Sequence, residues 1–333
     1  MPFRSVENRS KTNFWKSQGG EPVMHLLSLV RNEHMKIFSR FRTWSFMVLL
    51  VLLTLLPLFL QNKAPQEGNW QTQLEQENIQ LQKTVGDPEM PQSEVQSLRN
   101  KIMVNEYRIA HSIKPYNSVW GTVNELSVYI AVVTFFTVIV TSDAVAGEFS
   151  AGTIKMLLTR PVSRSKVLLS KYLASFCFGL ILLCLLFAAS FIIGSVAHGF
   201  EGVSDPYLYV KDGAVHEGSM VLHSMSTYGL KSVNLLMLVT LAFMISAVFR
   251  SVNMAVAISI LLLFTGNLIV FVLSKFEWVK YVLFANTDLT KYLDGGVPME
   301  GMSMNFSLAV LAAYFVLFNA VSWTVFAKRD VAA

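Results

Sequence analysis

The sequence predicts an all-α polytopic membrane protein with six transmembrane helices. Of its 333 residues, 53% are hydrophobic and only 15% are charged, whereas soluble globular domains carry about 25% charged residues. The chain also contains apolar runs long enough to cross a hydrocarbon core of about 30 Å as helices. The predicted spans cover residues 44–61, 121–142, 166–197, 228–249, 253–275 and 305–327.

The distribution of charge predicts the orientation of these spans. With the N-terminus in the cytoplasm, the inner segments contain sixteen of the 27 Lys and Arg but six of the 22 Asp and Glu. Lys and Arg accumulate in short cytoplasmic segments of membrane proteins. We therefore expect a multi-pass protein of the bacterial cell (plasma) membrane with both termini cytoplasmic. The net charge of +5 is a topology signal on this interpretation, and we expect membrane lipid but no nucleic acid as a partner.

The region before the first span divides into two parts. Residues 1–20 are polar and are predicted to form a flexible cytoplasmic tail. Residues 21–43 alternate apolar and basic side chains at helical spacing, which is typical of an amphipathic helix lying in the membrane interface. A cytoplasmic helix docked on protein is the alternative. Residues 44–333 are then the six-span transmembrane domain.

A long insertion, residues 62–120, separates the first two spans on the outer side. Its sequence WQTQLEQENIQLQKTV is typical of a helix, GDPEMPQ then breaks that helix, and a second helical pattern follows. We predict an extracellular helical hairpin, which either gates or recognises cargo or packs on itself as a cover. Residues 276–304 are too polar to span and are expected to form one or two short helices at the outer surface.

The loop between spans two and three has an unusual design. Residues 147–174 read GEFSAGTIKMLLTRPVSRSKVLLSKYLA. Ile154, Leu157 and Leu158 recur at one-turn spacing, which predicts a short amphipathic helix that Pro161 ends. This short helix either stands away from the membrane as a docking knob for another protein or folds back onto the interface.

The helix that follows the loop is predicted to be longer than the membrane is thick. Ser163 is a candidate N-cap, and the helix then runs without a break to about residue 197. At 1.5 Å per residue this helix measures roughly 45–50 Å, against a hydrocarbon core of about 30 Å. The excess length belongs on the cytoplasmic side, where the charged residues are.

The loop resembles the signature of the type 2 ABC exporter permeases. The similar residues run from Ser142 to Leu173 and include the pattern E-x-x-x-G-T-I-K-x-L-L-T-R-P-V-S-R-S-K-x-L-L-S-K-Y-L. The overall plan of residues 25–330 resembles that family too. The resemblance implies that the loop is a cytoplasmic coupling helix docking in a cleft of an ATPase subunit, and that the amphipathic N-terminal helix is a connecting helix. The long outer hairpin departs from the shortest members of the family.

The resemblance also implies roles for particular residues. The implied coupling positions are Glu148, Gly152, Thr153, Arg160 and Pro161. Gly152 would permit a tight backbone approach, and Glu148 would pair either with Arg160 or with a basic residue of the partner. The apolar face of Ile154, Leu157 and Leu158 would supply most of the docking energy, because surface ion pairs contribute only about 0–1 kcal/mol.

The implied partners are two copies of a cytoplasmic ABC ATPase subunit and a second permease subunit, the same or related. A phosphate-binding loop requires G-x-x-x-x-G-K-[ST]. Gly147 and Gly152 have the glycine spacing, but Thr153 and Ile154 follow where Lys and Ser or Thr are required. We therefore expect Mg-ATP on the partner chain, and no enzyme activity, cofactor or metal in this one.

The interiors of the predicted spans lack ionisable side chains near their centres, which disfavours an ion-coupled secondary carrier. Asn267 and Asn319 are candidate pathway-lining residues, and each can instead hydrogen-bond a neighbouring helix. The sequence thus predicts the permease subunit of an ATP-driven exporter of an amphipathic or hydrophobic cargo such as a peptide antibiotic, lipid or drug. The alternatives are an ATPase-linked sensor or scaffold without transport and an ion-coupled carrier.

Overall fold

The computed structural model describes most of the chain and confirms its predicted class. Six helices in the described part are long and apolar enough to cross a membrane. The predicted tail, residues 1–20, and the first part of the amphipathic segment lie outside the described residues. The structure describes residues 26–60, 70–86, 92–114, 118–153, 162–199, 206–211, 213–293, 297, 299 and 301–328.

The helices follow the order of the apolar runs. They are α1 Leu26–Phe38, α2 Phe41–Leu60, α3 Trp70–Val85, α4 Gln92–His111, α5 Val119–Leu126, α6 Ile130–Ser150, α7 Arg164–His198, α8 Met220–Val248, α9 Val252–Leu273, α10 Leu283–Asn286 and α11 Met304–Lys328. Short 3-10 turns occupy Ser127–Tyr129, Glu277–Tyr281 and Leu289–Tyr292. The candidate spans are α2, α5 with α6, α7, α8, α9 and α11.

Helix α1 is amphipathic and docks on protein along one face. Leu29 is buried, and the Phe38 ring packs edge-on against Phe178 of α7, with 5.9 Å between ring centroids. The opposite face remains open, since Leu27 is 81% exposed and Phe41, which begins α2, is 86% exposed. One face of the helix is therefore docked on protein, and its position in the membrane interface stays a prediction that the exposed apolar side chains favour.

The connection between α1 and α2 is short and fully hydrogen-bonded. The hydroxyl of Thr43 donates to the carbonyl of Ile37 at 2.6 Å, and the indole of Trp44 donates to the carbonyl of Phe38 at 2.9 Å. These bonds satisfy carbonyl groups that the end of a helix leaves without partners. The entry of the first span is thereby fixed relative to α1.

The second span is broken and extends further than its apolar run. Ser118 caps α5 by accepting from the backbone N–H of Gly121 at 3.1 Å, and the 3-10 turn Ser127–Tyr129 separates α5 from α6. Helix α6 continues to Ser150, two turns beyond the predicted end at residue 142. It continues because its carboxylates at 143 and 148 have cationic partners in other helices.

The core of the bundle lies where α6, α7 and α8 meet, and small residues allow the close approach. A Cβ atom placed on Gly179 of α7 would lie 3.0 Å from side-chain atoms of Leu235 and Thr137. On the same helix, a Cβ atom on Gly194 would lie 2.9 Å from the carbonyl oxygen of Val119. Van der Waals packing of this kind is a main source of helix association in membranes.

A serine of α8 is inserted into the backbone hydrogen bonds of α6. The hydroxyl of Ser246 accepts from the N–H groups of Val145 and Ala146 at 3.1 and 3.0 Å and donates to the carbonyl of Ser142 at 2.7 Å. A side chain inserted in this way is a recognised cause of local helix distortion. It joins α6 to α8 just before the charged end of α6.

The insertion between spans one and two is a helical hairpin. Helices α3 and α4 pack side by side, and the buried amide of Asn105 donates to Asn78 at 2.9 Å. A Lys101–Glu77 ion pair of 2.6 Å lies beside it. These cross-helix contacts fix the pairing of two helices that carry few apolar residues.

A small β-hairpin is the departure from the all-α prediction. Strands β1 Pro206–Lys211 and β2 Ala214–Ser219 pair antiparallel, with Tyr209 opposite His216. The phenol of Tyr107 in α4 donates to Glu217 in β2 at 3.1 Å. The hairpin therefore packs on the α3–α4 insertion, and the two form one module at the same end of the bundle.

Candidate functional site

Four charged side chains join α1, α6 and α7 at the end of the bundle where α6 finishes and α7 begins. The ammonium group of Lys171 lies 2.9 Å from Glu33 and 2.9 Å from Glu148. The ammonium group of Lys36 lies 2.9 Å from Glu33 and 3.0 Å from Glu148. Each cation thus contacts both anions, and we call this group the charge quartet.

The quartet is partly enclosed, which strengthens its interactions. The side chain of Lys171 is 2% exposed, and those of Glu33 and Glu148 are 15% and 14% exposed. A buried ion is tolerated when its charge is paired and its hydrogen bonds are made. Burial alone would lower the pKa of Lys36, but the hydrogen bonds and charges of Glu33 and Glu148 outweigh it, so that pKa is raised. Lys36 therefore stays charged.

A second charged group lies beside the quartet, between the α1–α2 connection and α6. Arg42 donates to the Asp143 carboxylate at 3.0 Å, and Arg40 contacts the same carboxylate oxygen. A Cβ atom on Gly147, one turn further along α6, would lie 2.5 Å from the other carboxylate oxygen of Asp143. The glycine therefore leaves room for the carboxylate. We call Arg40 and Arg42 the arginine pair.

The turn that follows α6 contains two of the predicted coupling residues, Gly152 and Thr153. Gly152 has φ = +69°, the left-handed conformation common just after a helix. A Cβ atom on it would meet no atom within 4 Å. The left-handed backbone conformation explains the glycine within this chain, and the tight approach of a partner's backbone at Gly152 stays a prediction. The hydroxyl of Thr153 donates to the Glu148 carboxylate and, at 3.5 Å, to the Glu148 carbonyl.

The remaining coupling residues lie outside the described part of the chain. They are Ile154, Leu157, Leu158, Arg160 and Pro161. Within the described residues, the Glu148 carboxylate contacts Lys36, Lys171 and Thr153. Its described partners come from α1, from α7 and from the turn after α6, and its pairing with Arg160 or with a basic residue of a partner stays a prediction.

The start of α7 matches its prediction closely. Ser163 has extended backbone angles and accepts from the N–H of Lys166 at 3.4 Å, as an N-cap does. The helix has 35 residues, which corresponds to a length of about 52 Å. It therefore reaches from the charge quartet through the whole bundle to the opposite end.

The two candidate pathway residues are not brought together. Asn267 is exposed on α9, whose surface is largely apolar. Asn319 of α11 is half-buried, and its amide donates to the Phe315 carbonyl of the same helix at 2.8 Å. Local hydrogen bonding accounts for Asn319, whereas the amide of Asn267 points away from the helices that form the core.

Sequence reasoning missed a hydrogen-bonded contact between the fourth and second spans. Lys231 of α8 donates to the hydroxyl of Ser127 at 2.8 Å and to its carbonyl at 3.2 Å, at the 3-10 turn that breaks the second span. The sequence signal for this contact was Lys231, a single lysine near the start of the fourth predicted span. Among the described residues, no group of three His, Cys, Asp or Glu side chains is placed to hold a metal ion.

A cavity of about 450 Å³ opens between α1, α6 and α7. Its lining includes the quartet, the arginine pair, Asp143, further polar side chains such as Ser170 and Ser175, and apolar side chains. The quartet, the arginine pair and Asp143, which we together call the charged joint, therefore border a space large enough for part of a small molecule. The segment predicted to form the coupling helix connects α6 and α7 at the same end of the bundle.

Comparison with known proteins places the chain among uncharacterised relatives. It is 40% identical over 316 residues to "Uncharacterized protein YhcI" of Bacillus subtilis (strain 168), covering 92% of this chain and all of that protein. It is 28% identical over 198 residues to "Uncharacterized membrane protein YdbK" of the same organism, covering 59% of this chain and 76% of that protein. The second name agrees with the six apolar helices. Residues 94–332 match the family described as "Protein of unknown function (DUF2705)", and the chain belongs to this family.

Proposed function

We propose that this chain is the permease subunit of an ATP-driven exporter and that a separate ATPase subunit grips the segment between α6 and α7. The observation that carries the proposal is the charged joint. Seven charged side chains, four from the α1 region, two from α6 and one from α7, meet beside the points where this segment leaves α6 and enters α7.

The joint would pass a displacement of the loop to the whole bundle. Residues 154–161 connect α6 and α7, which both belong to the core. Because Lys171 and Glu148 are paired with Glu33 and Lys36, α1 is tied to the same point. A force on the loop would therefore move three elements together, and α7 would transmit the movement over about 52 Å.

The proposed arrangement needs a second permease subunit, the same or related. Helix α9 supports this because it contributes little to the core of its own chain. Its Phe264 and Phe271 are 66% and 76% exposed, and Asn267 is exposed beside them. A polar amide on an apolar helix surface within a membrane favours contact with another helix. The pathway for an amphipathic or hydrophobic cargo would lie between the two subunits.

In the proposed mechanism, the positive-inside rule puts the charged joint in the cytoplasm. Binding of Mg-ATP closes two ATPase subunits on each other, and each carries one loop with it. The helices tied at the joint then shift as a nearly rigid body, a hinge-type transition. Cargo that entered from the inner leaflet or the cytoplasm leaves outward.

The experiment compares two substitutions of one glycine in vesicles that contain the permease and its ATPase. Gly152→Val forces a β-branched residue into a left-handed conformation, at a cost of about 1–2 kcal/mol or more. Gly152→Asn tolerates that conformation. We expect cargo-stimulated ATP hydrolysis to be lost in Gly152→Val and kept in Gly152→Asn, with equal protein in the membrane. Normal stimulation in both variants would contradict the coupling role of this turn.

A second candidate function is an ATPase-linked sensor that moves no cargo. The module formed by α3, α4 and the β-hairpin favours it, because the Tyr107–Glu217 hydrogen bond joins two insertions into one folded unit. Such a unit can recognise an external ligand. A sensor would show ATP hydrolysis that responds to the ligand with no accumulation of labelled cargo in inverted vesicles, whereas an exporter would show both.

A further inference from the structure

We propose that the cavity between α1, α6 and α7 is a binding site for the phosphodiester headgroup of an anionic glycerophospholipid, with the acyl chains leaving along its apolar wall. The inference rests on the cavity and its charges. It does not depend on the exporter function, and nothing in the comparisons assigns a ligand to this place.

The charges around the cavity do not balance. The charge quartet has two cations and two anions and is neutral. The arginine pair shares a single carboxylate, Asp143, so this part of the wall keeps one positive charge. The side chains of Arg40 and Arg42 are 49% and 36% exposed. A guanidinium has five N–H donors, so both retain donors that a phosphodiester, itself a monoanion, can use.

Two residues that line the cavity have a buried donor with no hydrogen-bond partner among the described residues. The Nε atom of Arg42 is buried without a hydrogen-bond partner among the described residues. The hydroxyl of Ser175, which lies on the α7 wall of the cavity, is fully buried and in the same situation. Buried donors in folded proteins nearly always have a partner. Guanidinium and hydroxyl groups are common donors to phosphate oxygens, so a phosphodiester has the chemistry that donors of this kind in the wall require.

The rest of the wall favours a lipid over free phosphate. Its apolar lining includes Leu29, Ile37, Val140, Val167 and Ala174. An acyl chain or glycerol backbone can pack against these apolar side chains, whereas free phosphate offers them no apolar contact. The arginine pair also flanks the first residues of the α2 span, and Trp44 is exposed at this level, as is typical of side chains at the headgroup region.

The test uses the full-length protein in detergent micelles and counts bound lipid by native mass spectrometry. The probes are phosphatidylglycerol, phosphatidylethanolamine and inorganic phosphate. We expect one phosphatidylglycerol per chain, with at least tenfold weaker binding in the double variant Arg40→Gln/Arg42→Gln. The matched control is Arg31→Gln, which removes an exposed arginine of α1 and should change the affinity less than twofold.

A further variant separates anion binding from a purely structural role. Asp143→Asn removes the carboxylate that holds the arginine pair and raises the net positive charge of the wall, so phosphatidylglycerol should bind as well as before or more tightly. If the arginines serve only to tie α1 to α6, Asp143→Asn will lose lipid as the double variant does, and the proposal fails. It fails too if Arg31→Gln has the same effect, or if phosphatidylethanolamine or inorganic phosphate binds as tightly as phosphatidylglycerol.

Discussion

Replacement of the central lysine of the charge quartet tests the energetics of the joint. Lys171→Met keeps most of the side-chain volume but removes a cation that is 2% exposed and lies 2.9 Å from each of two carboxylates. At an effective dielectric constant of about 20, charges at that separation attract by about 6 kcal/mol. Desolvation of each ion offsets several kcal/mol of this attraction.

The expected net effect follows from what the substitution leaves behind. Glu33 and Glu148 would remain mostly enclosed with Lys36 as their remaining lysine partner. Removing one member of a buried ion pair typically costs about 3–5 kcal/mol. We therefore expect Lys171→Met to lower the free energy of unfolding by about 3 kcal/mol, which is about 100-fold in the ratio of folded to unfolded protein.

The assay is equilibrium unfolding in mixed detergent micelles, with two comparison variants. Lys166→Met, on the exposed start of the same helix, should change the free energy of unfolding by less than about 0.5 kcal/mol. The double variant Lys171→Met/Glu148→Gln removes one cation and one anion, so it should recover at least half of the loss. If Lys171→Met is no more destabilising than Lys166→Met, or if the double variant is less stable still, the quartet does not hold the joint together.

Two further predictions concern packing and pH. Gly266→Ala would place a Cβ atom against the Phe284 ring and should lower the free energy of unfolding by about 1–3 kcal/mol. In Gly229→Ala, the added Cβ atom would meet nothing within 4 Å. That variant should raise the free energy of unfolding by up to about 1 kcal/mol. Equal effects would contradict the α9–α10 packing. Burial lowers the pKa of His34 from 6.5, so the unfolded state binds more protons below pH 6.5 and stability should fall as the pH drops from 6.5. His34→Gln should flatten that decline in a pH series of unfolding curves, and His216→Gln, at an exposed position, should leave it unchanged.

The apolar runs were sufficient to predict the number of spans, because burial in lipid demands long apolar helices, but α8 begins at Met220, eight residues before its predicted start. Helices α7, α9 and α11 begin and end within two residues of the predicted bounds. The cap at Ser163 was also visible, since N-capping depends on local sequence. These features are encoded by neighbouring residues, which explains why sequence reasoning found them.

The charged joint could not be predicted, because it depends on residues far apart in the chain. Lys36 and Glu148 are separated by 112 positions. Without knowledge of their cationic partners, the carboxylates of Asp143 and Glu148 indicate that the membrane span ends before them. Only the folded arrangement neutralises them and lets α6 continue to Ser150. The β-hairpin was not predicted for a different reason, since two six-residue strands give only a weak alternation signal.

The central claim is that a cytosolic ATPase contacts the turn after α6, and photo-cross-linking in cells tests it most directly. A benzoyl-phenylalanine would replace Ala151, which is exposed at this turn, and in a parallel strain Val128, which is 65% exposed at the break between α5 and α6. We predict a cross-link from position 151 to a protein with a phosphate-binding loop, and none to that protein from position 128. Absence of such a partner at position 151, or its equal capture at both positions, would contradict the account.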